Sequence, residues 1–165
     1  MKKKRLLIVD DEAGIREILA FKAESLGAEI FEAENGQVAL DLIKSQTFEV
    51  VLSDINMPVM TGMQLLKSIR ELGNMVPFVI LSAYGDKKQA VEALKLGAFD
   101  FIDKPWEDQN LLDVLYRALE LGAELNFWKS DNSIANALYK VGEVNSEKAL
   151  AQVLRTLTAA KLPKD

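Results

Sequence analysis

The chain has 165 residues, 49% hydrophobic and 27% charged, with a net charge of -5, which suits one water-soluble domain with an appendage. Its apolar runs are too short to span a membrane, and its negative charge gives no general attraction to nucleic acid. Because it has no Cys and no His, disulfides, thiolate chemistry, the usual zinc sites and serine–histidine catalysis are excluded.

The chain begins with the basic segment Met1 to Arg5, followed by the short apolar run Leu6 to Val9. This run is too short, and too soon followed by acids, for a secretory leader, so we expect the protein in the cytoplasm. Residues 5–9 instead predict a first strand, apolar from Leu6 onward and therefore covered on both faces. It ends at Asp10, Asp11 and Glu12, a costly cluster of acids.

Five apolar runs of strand length alternate with segments of helical periodicity. The predicted strands are residues 5–9, 28–33, 49–54, 77–81 and 99–102, and a predicted helix follows each of them. Asn35-Gly36 predicts a turn, and Asp86 is expected to cap the fourth helix. The alternation indicates an α/β fold, a doubly wound parallel sheet with right-handed connections.

Polar side chains follow four of these strands. Asp10 and Asp11 follow the first strand, Asp54 the third, Ser82 the fourth and Lys104 the fifth. Because the carboxyl ends of parallel strands meet at one edge of the sheet, where such folds bind ligands, we expect these side chains to lie together.

Three clustered carboxylates repel one another by about 4 kcal/mol per close pair at an effective dielectric near 20. An all-oxygen site with few protein ligands suits Mg²⁺, while Lys104 and Ser82 offer an ammonium and a hydroxyl to a phosphoryl oxygen. Taken singly, each residue has a structural explanation as a helix cap, a turn residue or a solvated charge. Together they favour a carboxylate, Asp54, that attacks a phosphoryl donor.

The stretch from Lys4 to Leu121 resembles a response-regulator receiver domain of two-component signalling, and is similar to the single-domain chemotaxis regulator. The matching features are Asp10-Asp11, Asp54 within Asp-Ile-Asn-Met-Pro-Val-Met-Thr-Gly, Ser82-Ala83 and Lys104-Pro105. The resemblance implies a five-stranded, flavodoxin-like sheet of order 2-1-3-4-5. The helical carboxyl-terminal extension that the later sequence predicts is left unassigned by the resemblance.

The resemblance also assigns roles at the site. It implies that Asp54 is the phosphoacceptor, assisted by Lys104 and Ser82. It implies that Mg²⁺ is held by Asp10, Asp11, Asp54 and the backbone carbonyl of Asn56. Lys104-Pro105 matches the family's cis peptide.

Two switch residues are implied as well, Ser82 and Phe101. The hydroxyl of Ser82 is expected to follow the phosphoryl group, and the ring of Phe101 to move into the space vacated. Many members carry Tyr where this chain has Phe101, so a hydroxyl contact at the surface is excluded here.

The resemblance implies a signalling switch whose donor is a separate histidine kinase or phosphotransfer protein. Its output is expected through protein–protein contacts on the face of the fourth helix, fifth strand and fifth helix. Candidate residues on that face are Lys88, Val91, Leu94, Lys95 and Phe101.

We divide the chain into a receiver, residues 1–121, and a helical extension, residues 122–165. The fifth helix carries a seam at coiled-coil spacing: Leu111, Val114, Ala118, Leu121, Leu125 and Trp128. The first half of the seam could face the sheet, whereas beyond Leu121 the seam and Phe127 are expected to need another cover. Gly122 is a candidate bend.

Two further short helices are expected near residues 134–142 and 145–157. From Gly122 onward six Lys/Arg and five Asp/Glu give 6 − 5 = +1, and no helix-turn-helix pattern is present, so nucleic-acid binding by this chain is not expected. The extension is expected to form a homodimer or dock a partner, or else to fold back onto the receiver. The alternative is a DNA-binding or enzymatic output regulator truncated after its receiver and linker.

The sequence supports an enzymatic function less well than a signalling switch. A haloacid-dehalogenase-type phosphatase needs a second Asp two residues after the first, where this chain has Asn56, and a nucleotide-hydrolysing switch needs a Gly-x-x-x-x-Gly-Lys-Ser/Thr loop, which is missing. A pseudo-receiver scaffold is disfavoured because all the site residues are present. We therefore expect no enzyme beyond self-catalysed phosphorylation and dephosphorylation of Asp54.

Overall fold

Strands and helices alternate along the chain in a computed structural model that describes residues 2–130. The strands are β1 Arg5–Val9, β2 Glu29–Ala33, β3 Val50–Asp54, β4 Phe78–Ser82 and β5 Asp100–Asp103. The helices are α1 Ala13–Ala23, α2 Gly36–Ser45, α3 Gly62–Glu71, α4 Lys87–Lys95 and α5 Asp108–Ser130, with a 3-10 turn at Glu24–Leu26. Every predicted strand is present, with its ends shifted by one residue at most.

The five strands form one parallel sheet in the order β2-β1-β3-β4-β5, which confirms the predicted fold. Asp54 pairs with Leu81 in the sheet, and Ser82 pairs with Asp103. This register places the ends of β3, β4 and β5 side by side, so the residues that follow them share one edge.

Side chains alternate between the two faces of the sheet and build two cores. One core packs Leu7, Val9, Val51, Phe78 and Ile80 against α2 and α3. The other packs Leu6, Ile8, Leu52, Val79 and Leu81 against α1 and α5. Burial on both faces explains why β1, β3 and β4 are mostly apolar along their length.

Helix α5 continues past the predicted boundary to Ser130. All the seam residues whose burial is described are buried: Leu111, Val114, Ala118, Leu121 and Leu125. Leu125 lies beyond Leu121, where we expect a cover other than the sheet, and it is only 2% exposed. Phe127, for which a cover is also expected, is exposed.

The end of α5 is docked against the start of β3. A Cβ atom on Gly122 would lie 1.8 Å from the carbonyl oxygen of Glu49, so only glycine permits this approach. One turn later Asn126 donates from Nδ2 to Oε1 of Glu49 at 3.0 Å and to the carbonyl of Phe48 at 3.4 Å. Gly122 thus marks a close contact inside a continuous helix.

The division of the chain after Leu121 stays a prediction, since α5 runs across it. The helices expected near residues 134–142 and 145–157 lie outside the described residues. Within residues 2–130 no helix is both long and apolar enough to cross a membrane.

Candidate functional site

The carboxyl-terminal edge of the sheet brings three predicted acids together. Asp10, Asp11 and Asp54 each offer a carboxylate oxygen within 4.8 Å of the other two. Asp10 is fully buried and Asp54 is 8% exposed, whereas Asp11 faces solvent. The cluster is therefore open on one side, where a cation or a phosphoryl donor could enter.

Lys104 lies among these acids, as predicted. Its Nζ stands 3.4 Å from Oδ2 of Asp10 and 3.4 Å from Oδ1 of Asp54. The Lys104–Pro105 peptide is cis, in agreement with the expectation. One ammonium thus faces two buried carboxylates, and it offsets only part of their negative charge.

The loop after β3 is held tightly around Asp54. The Ser53 hydroxyl donates to the Asp54 carbonyl at 2.8 Å, and the Ile55 amide donates to Oδ1 of Asp54 at 2.8 Å. Gly62, at the start of α3, donates from its amide to the Ile55 carbonyl at 2.8 Å. A Cβ on Gly62 would lie 2.1 Å from the Asp54 carbonyl oxygen, so glycine is needed to close the loop here.

The remaining predicted residues surround the acids. Ser82 is buried, and its hydroxyl donates to the Ala83 carbonyl at 3.4 Å. Phe101 is half-buried and packs against the core beneath α2 and α3. Asn56 follows Asp54 closely in the same loop, and its expected carbonyl contact with Mg²⁺ stays a prediction.

Asp86 is the N-cap residue of α4, at the predicted position, but its side chain makes no cap hydrogen bond to the helix. Its Oδ2 instead accepts from Nδ2 of Asn56 at 3.1 Å. The backbone of Asp86, with φ -93° and ψ 10°, departs from the extended conformation usual at a helix cap. The contact links the loop after β3 to the loop before α4.

The pKa of Asp54 is raised above its ordinary value of 3.8, chiefly because burial disfavours the charged carboxylate. The neighbouring charge of Asp10 raises it further, while Lys104 and the Ile55 amide lower it. For Lys104 burial acts to lower the pKa, but Asp54 and Asp10 together outweigh it, so its pKa is raised. Lys104 is therefore a permanent cation at neutral pH.

Removing the Asp54 charge is expected to stabilise the metal-free protein. Because the folded-state pKa is raised, the contribution of Asp54 to stability falls as pH rises from 3.8 through that folded-state pKa. In EDTA at pH 7, Asp54→Asn should raise the free energy of unfolding by about 1 kcal/mol, measured by urea denaturation.

The gain should shrink as the pH is lowered towards 3.8, and Asp41→Asn on exposed α2 should show neither effect. At saturating Mg²⁺ the wild type should instead be more stable than Asp54→Asn, since only the wild type retains all three carboxylates. A destabilised Asp54→Asn protein in EDTA would show that the Asp54 charge is favourable there.

The donor set fits a hard divalent cation. The clustered ligands are carboxylate oxygens alone, and the described residues around them provide neither thiol nor imidazole. Asp10, Asp11 and Asp54 carry three negative charges against one ammonium, so a divalent cation would complete the charge balance. These residues could hold Mg²⁺.

Sequence reasoning missed Arg16. From α1 its Nη1 donates to the backbone carbonyl of Asp10 at 2.7 Å, and its Nε donates to Oε2 of Glu32 at 3.1 Å. Periodicity places Arg16 on a helix but gives no sign of this tertiary contact, which depends on how α1 packs beside β1 and β2.

Comparison with known proteins agrees with this geometry. A sequence model of the family described as response regulator receiver domain matches residues 6–116. The structure of the chemotaxis response regulator CheY4 of Vibrio cholerae matches with a TM-score of 0.65 at 30% identity, covering 71% of this chain and 99% of that one.

Two longer relatives match over a similar number of residues. The transcriptional regulatory protein TdiR of Thauera aromatica is 38% identical over 120 residues, which cover 73% of this chain and 53% of that protein. The regulatory protein AtoC of Escherichia coli strain K12 is 41% identical over 117 residues, which cover 71% of this chain and 25% of that protein. The match thus spans about half of one relative and a quarter of the other.

Proposed function

Since the chain belongs to the response regulator receiver domain family, we propose that it is a phosphorylation-dependent signalling switch. Asp54 accepts a phosphoryl group from a separate histidine kinase or phosphotransfer protein. The observation that carries this proposal is the placement of Lys104 at 3.4 Å from Oδ1 of Asp54, within a cluster of three acids.

The transfer forms one bond and breaks another. An oxygen of Asp54 attacks the phosphorus of a phosphohistidine, the phosphorus–nitrogen bond breaks, and the imidazole leaves with the electron pair and takes up a proton. The described contacts of the Asp54 carboxylate, with Ile55 and Lys104, both fall on Oδ1, which favours Oδ2 as the attacking oxygen.

The surrounding groups neutralise charge. Mg²⁺ held by Asp10, Asp11 and Asp54, with the Asn56 carbonyl as a further ligand, would offset the charge of the phosphoryl oxygens. Lys104 pairs with one of those oxygens, and the Ser82 hydroxyl turns from the Ala83 carbonyl to donate to another. Attack by water on the phosphorus of the acyl phosphate releases inorganic phosphate and returns Asp54 to its free carboxylate. The proposal includes no enzymatic activity beyond this self-catalysed cycle.

The proposed output is a changed surface on α4, β5 and α5, with Ser82 and Phe101 as its switch residues. Val91 and Leu94 on α4 are 49% and 39% exposed, which supports docking of a downstream protein there. Homodimerisation, partner docking by residues 122–165 and a cytoplasmic location remain predictions. The alternative stays a DNA-binding or enzymatic output regulator truncated after its receiver and linker. TdiR is named as a transcriptional regulatory protein, which is consistent with that alternative without favouring it.

The test is incubation of the full chain with acetyl phosphate and Mg²⁺, followed by intact mass measurement. We expect one phosphoryl adduct on the wild type and on Asp41→Ala, and none on Asp54→Ala. A wild type without an adduct, or an adduct that survives Asp54→Ala, would contradict the proposal.

A further inference from the structure

Arg16 holds the turn that carries two of the three acids. Its side chain is 16% exposed and lies on α1, outside the acid cluster. Nη1 donates to the backbone carbonyl of Asp10 at 2.7 Å, while Nε donates to Oε2 of Glu32 on β2 at 3.1 Å. The guanidinium therefore ties the end of β1 to the neighbouring strand.

The Asp10 carbonyl belongs to the peptide plane that joins Asp10 to Asp11, so holding this carbonyl orients the bond between the two acids. The preceding part of Asp10 is fixed by its amide, which donates to the Ala33 carbonyl at 3.2 Å. Its carboxylate is fixed by the Glu12 amide, which donates to Oδ1 at 2.9 Å. Arg16 restrains the carbonyl group of Asp10, which lies beyond the last residue of β1.

The contact needs the shape of arginine. Two nitrogens of one planar group reach two acceptors, the Asp10 carbonyl just after β1 and the Glu32 carboxylate on β2. An ammonium is a single point at the end of a flexible stem and has no such fork. Lysine at this position would keep the charge while losing the restraint.

We propose that Arg16 is a positioning residue for cation binding by Asp10, Asp11 and Asp54, acting through the Asp10–Asp11 peptide. This rests on the proposed function, which supplies the cation site. Charge alone predicts the opposite effect, because removing a positive group beside three carboxylates strengthens their attraction for Mg²⁺. The sign of the change in Mg²⁺ affinity therefore separates positioning from electrostatics.

The experiment is a Mg²⁺ titration of the full chain without phosphoryl donor. Trp106, half-buried two residues after Lys104, provides a fluorescence signal near the site, and isothermal calorimetry serves as an independent readout. We expect Arg16→Met to raise the Mg²⁺ dissociation constant about tenfold or more, a usual size for loss of an outer-shell partner. Arg16→Lys should show a similar loss despite its retained charge.

Lys22→Met removes a cation at the other end of α1, where Lys22 pairs with Asp108, and should leave the dissociation constant unchanged. Thermal melting in EDTA checks that each variant is folded, and Arg16→Lys serves if Arg16→Met does not fold, because its retained charge alone predicts an unchanged dissociation constant.

Unchanged or tighter Mg²⁺ binding by the folded Arg16 variants would overturn the proposal. If the wild type still forms the Asp54 adduct in that case, only the role of Arg16 fails. A wild type that forms no adduct defeats the proposed function instead, whatever the order of the Mg²⁺ affinities.

Discussion

Lys104→Ala is expected to slow phosphorylation of Asp54 by acetyl phosphate by about a hundredfold or more, the usual cost of removing one preorganised charge donor. Lys104 Nζ lies 3.4 Å from Oδ1 of Asp54 and is positioned to meet a phosphoryl oxygen bound there. The measurement is the rate at which the adduct appears by intact mass at saturating Mg²⁺. Lys44→Ala, an exposed lysine on α2, should react at the wild-type rate.

Although Lys104→Ala should slow phosphorylation, it should not weaken Mg²⁺ binding. The ammonium competes for Oδ2 of Asp10 and Oδ1 of Asp54, so Lys104→Ala should bind Mg²⁺ as tightly as the wild type or more tightly. Slow phosphorylation with retained Mg²⁺ binding assigns Lys104 to the transfer step. A wild-type rate of adduct formation would show that the ammonium is dispensable, and lost Mg²⁺ binding would indicate a distorted site.

The site could be predicted because its chemistry falls at strand ends, and strand ends are marked locally in the sequence. The apolar run Leu6 to Val9 stops at Asp10, and the run Val50 to Leu52 is followed by Ser53 and Asp54. The parallel arrangement brings such strand ends together. The order of the sheet, in contrast, came with the family resemblance. Periodicity identifies strands and helices, but it does not determine which strands are neighbours.

Contacts between distant segments could not be predicted in this way. The Arg16 guanidinium meets a backbone carbonyl, and any residue type can offer that acceptor. Asp86 lies at the predicted helix start, yet its carboxylate bonds to Asn56, which is 30 residues away. Val59 adopts φ 70°, unusual for a β-branched residue, as the loop closes between Asp54 and Gly62. These features depend on tertiary packing, which overrides local preference.

Gly122 also makes a tertiary contact that local sequence patterns do not predict. Its substitution is expected to cause the largest change in stability. In an exposed helix, replacing glycine by alanine gains about 1 kcal/mol through helix propensity. In this helix the new Cβ would lie 1.8 Å from the Glu49 carbonyl oxygen and 2.5 Å from its carbonyl carbon, so backbone must move. We expect Gly122→Ala to lower the free energy of unfolding by about 3 kcal/mol, measured by urea denaturation of the full chain.

The neighbouring Ala123→Gly is the matched control, because it exchanges the same two residue types in reverse at a half-buried position. It should cost about 1 kcal/mol, the propensity difference alone. Gly122→Ala must then be the more damaging change although it improves helix propensity. A Gly122→Ala protein as stable as the wild type would show that α5 leaves the sheet near Leu121. The predicted boundary would then separate two independently moving parts, whereas a large loss makes residues 122–130 part of the receiver and fixes the direction in which α5 leaves it.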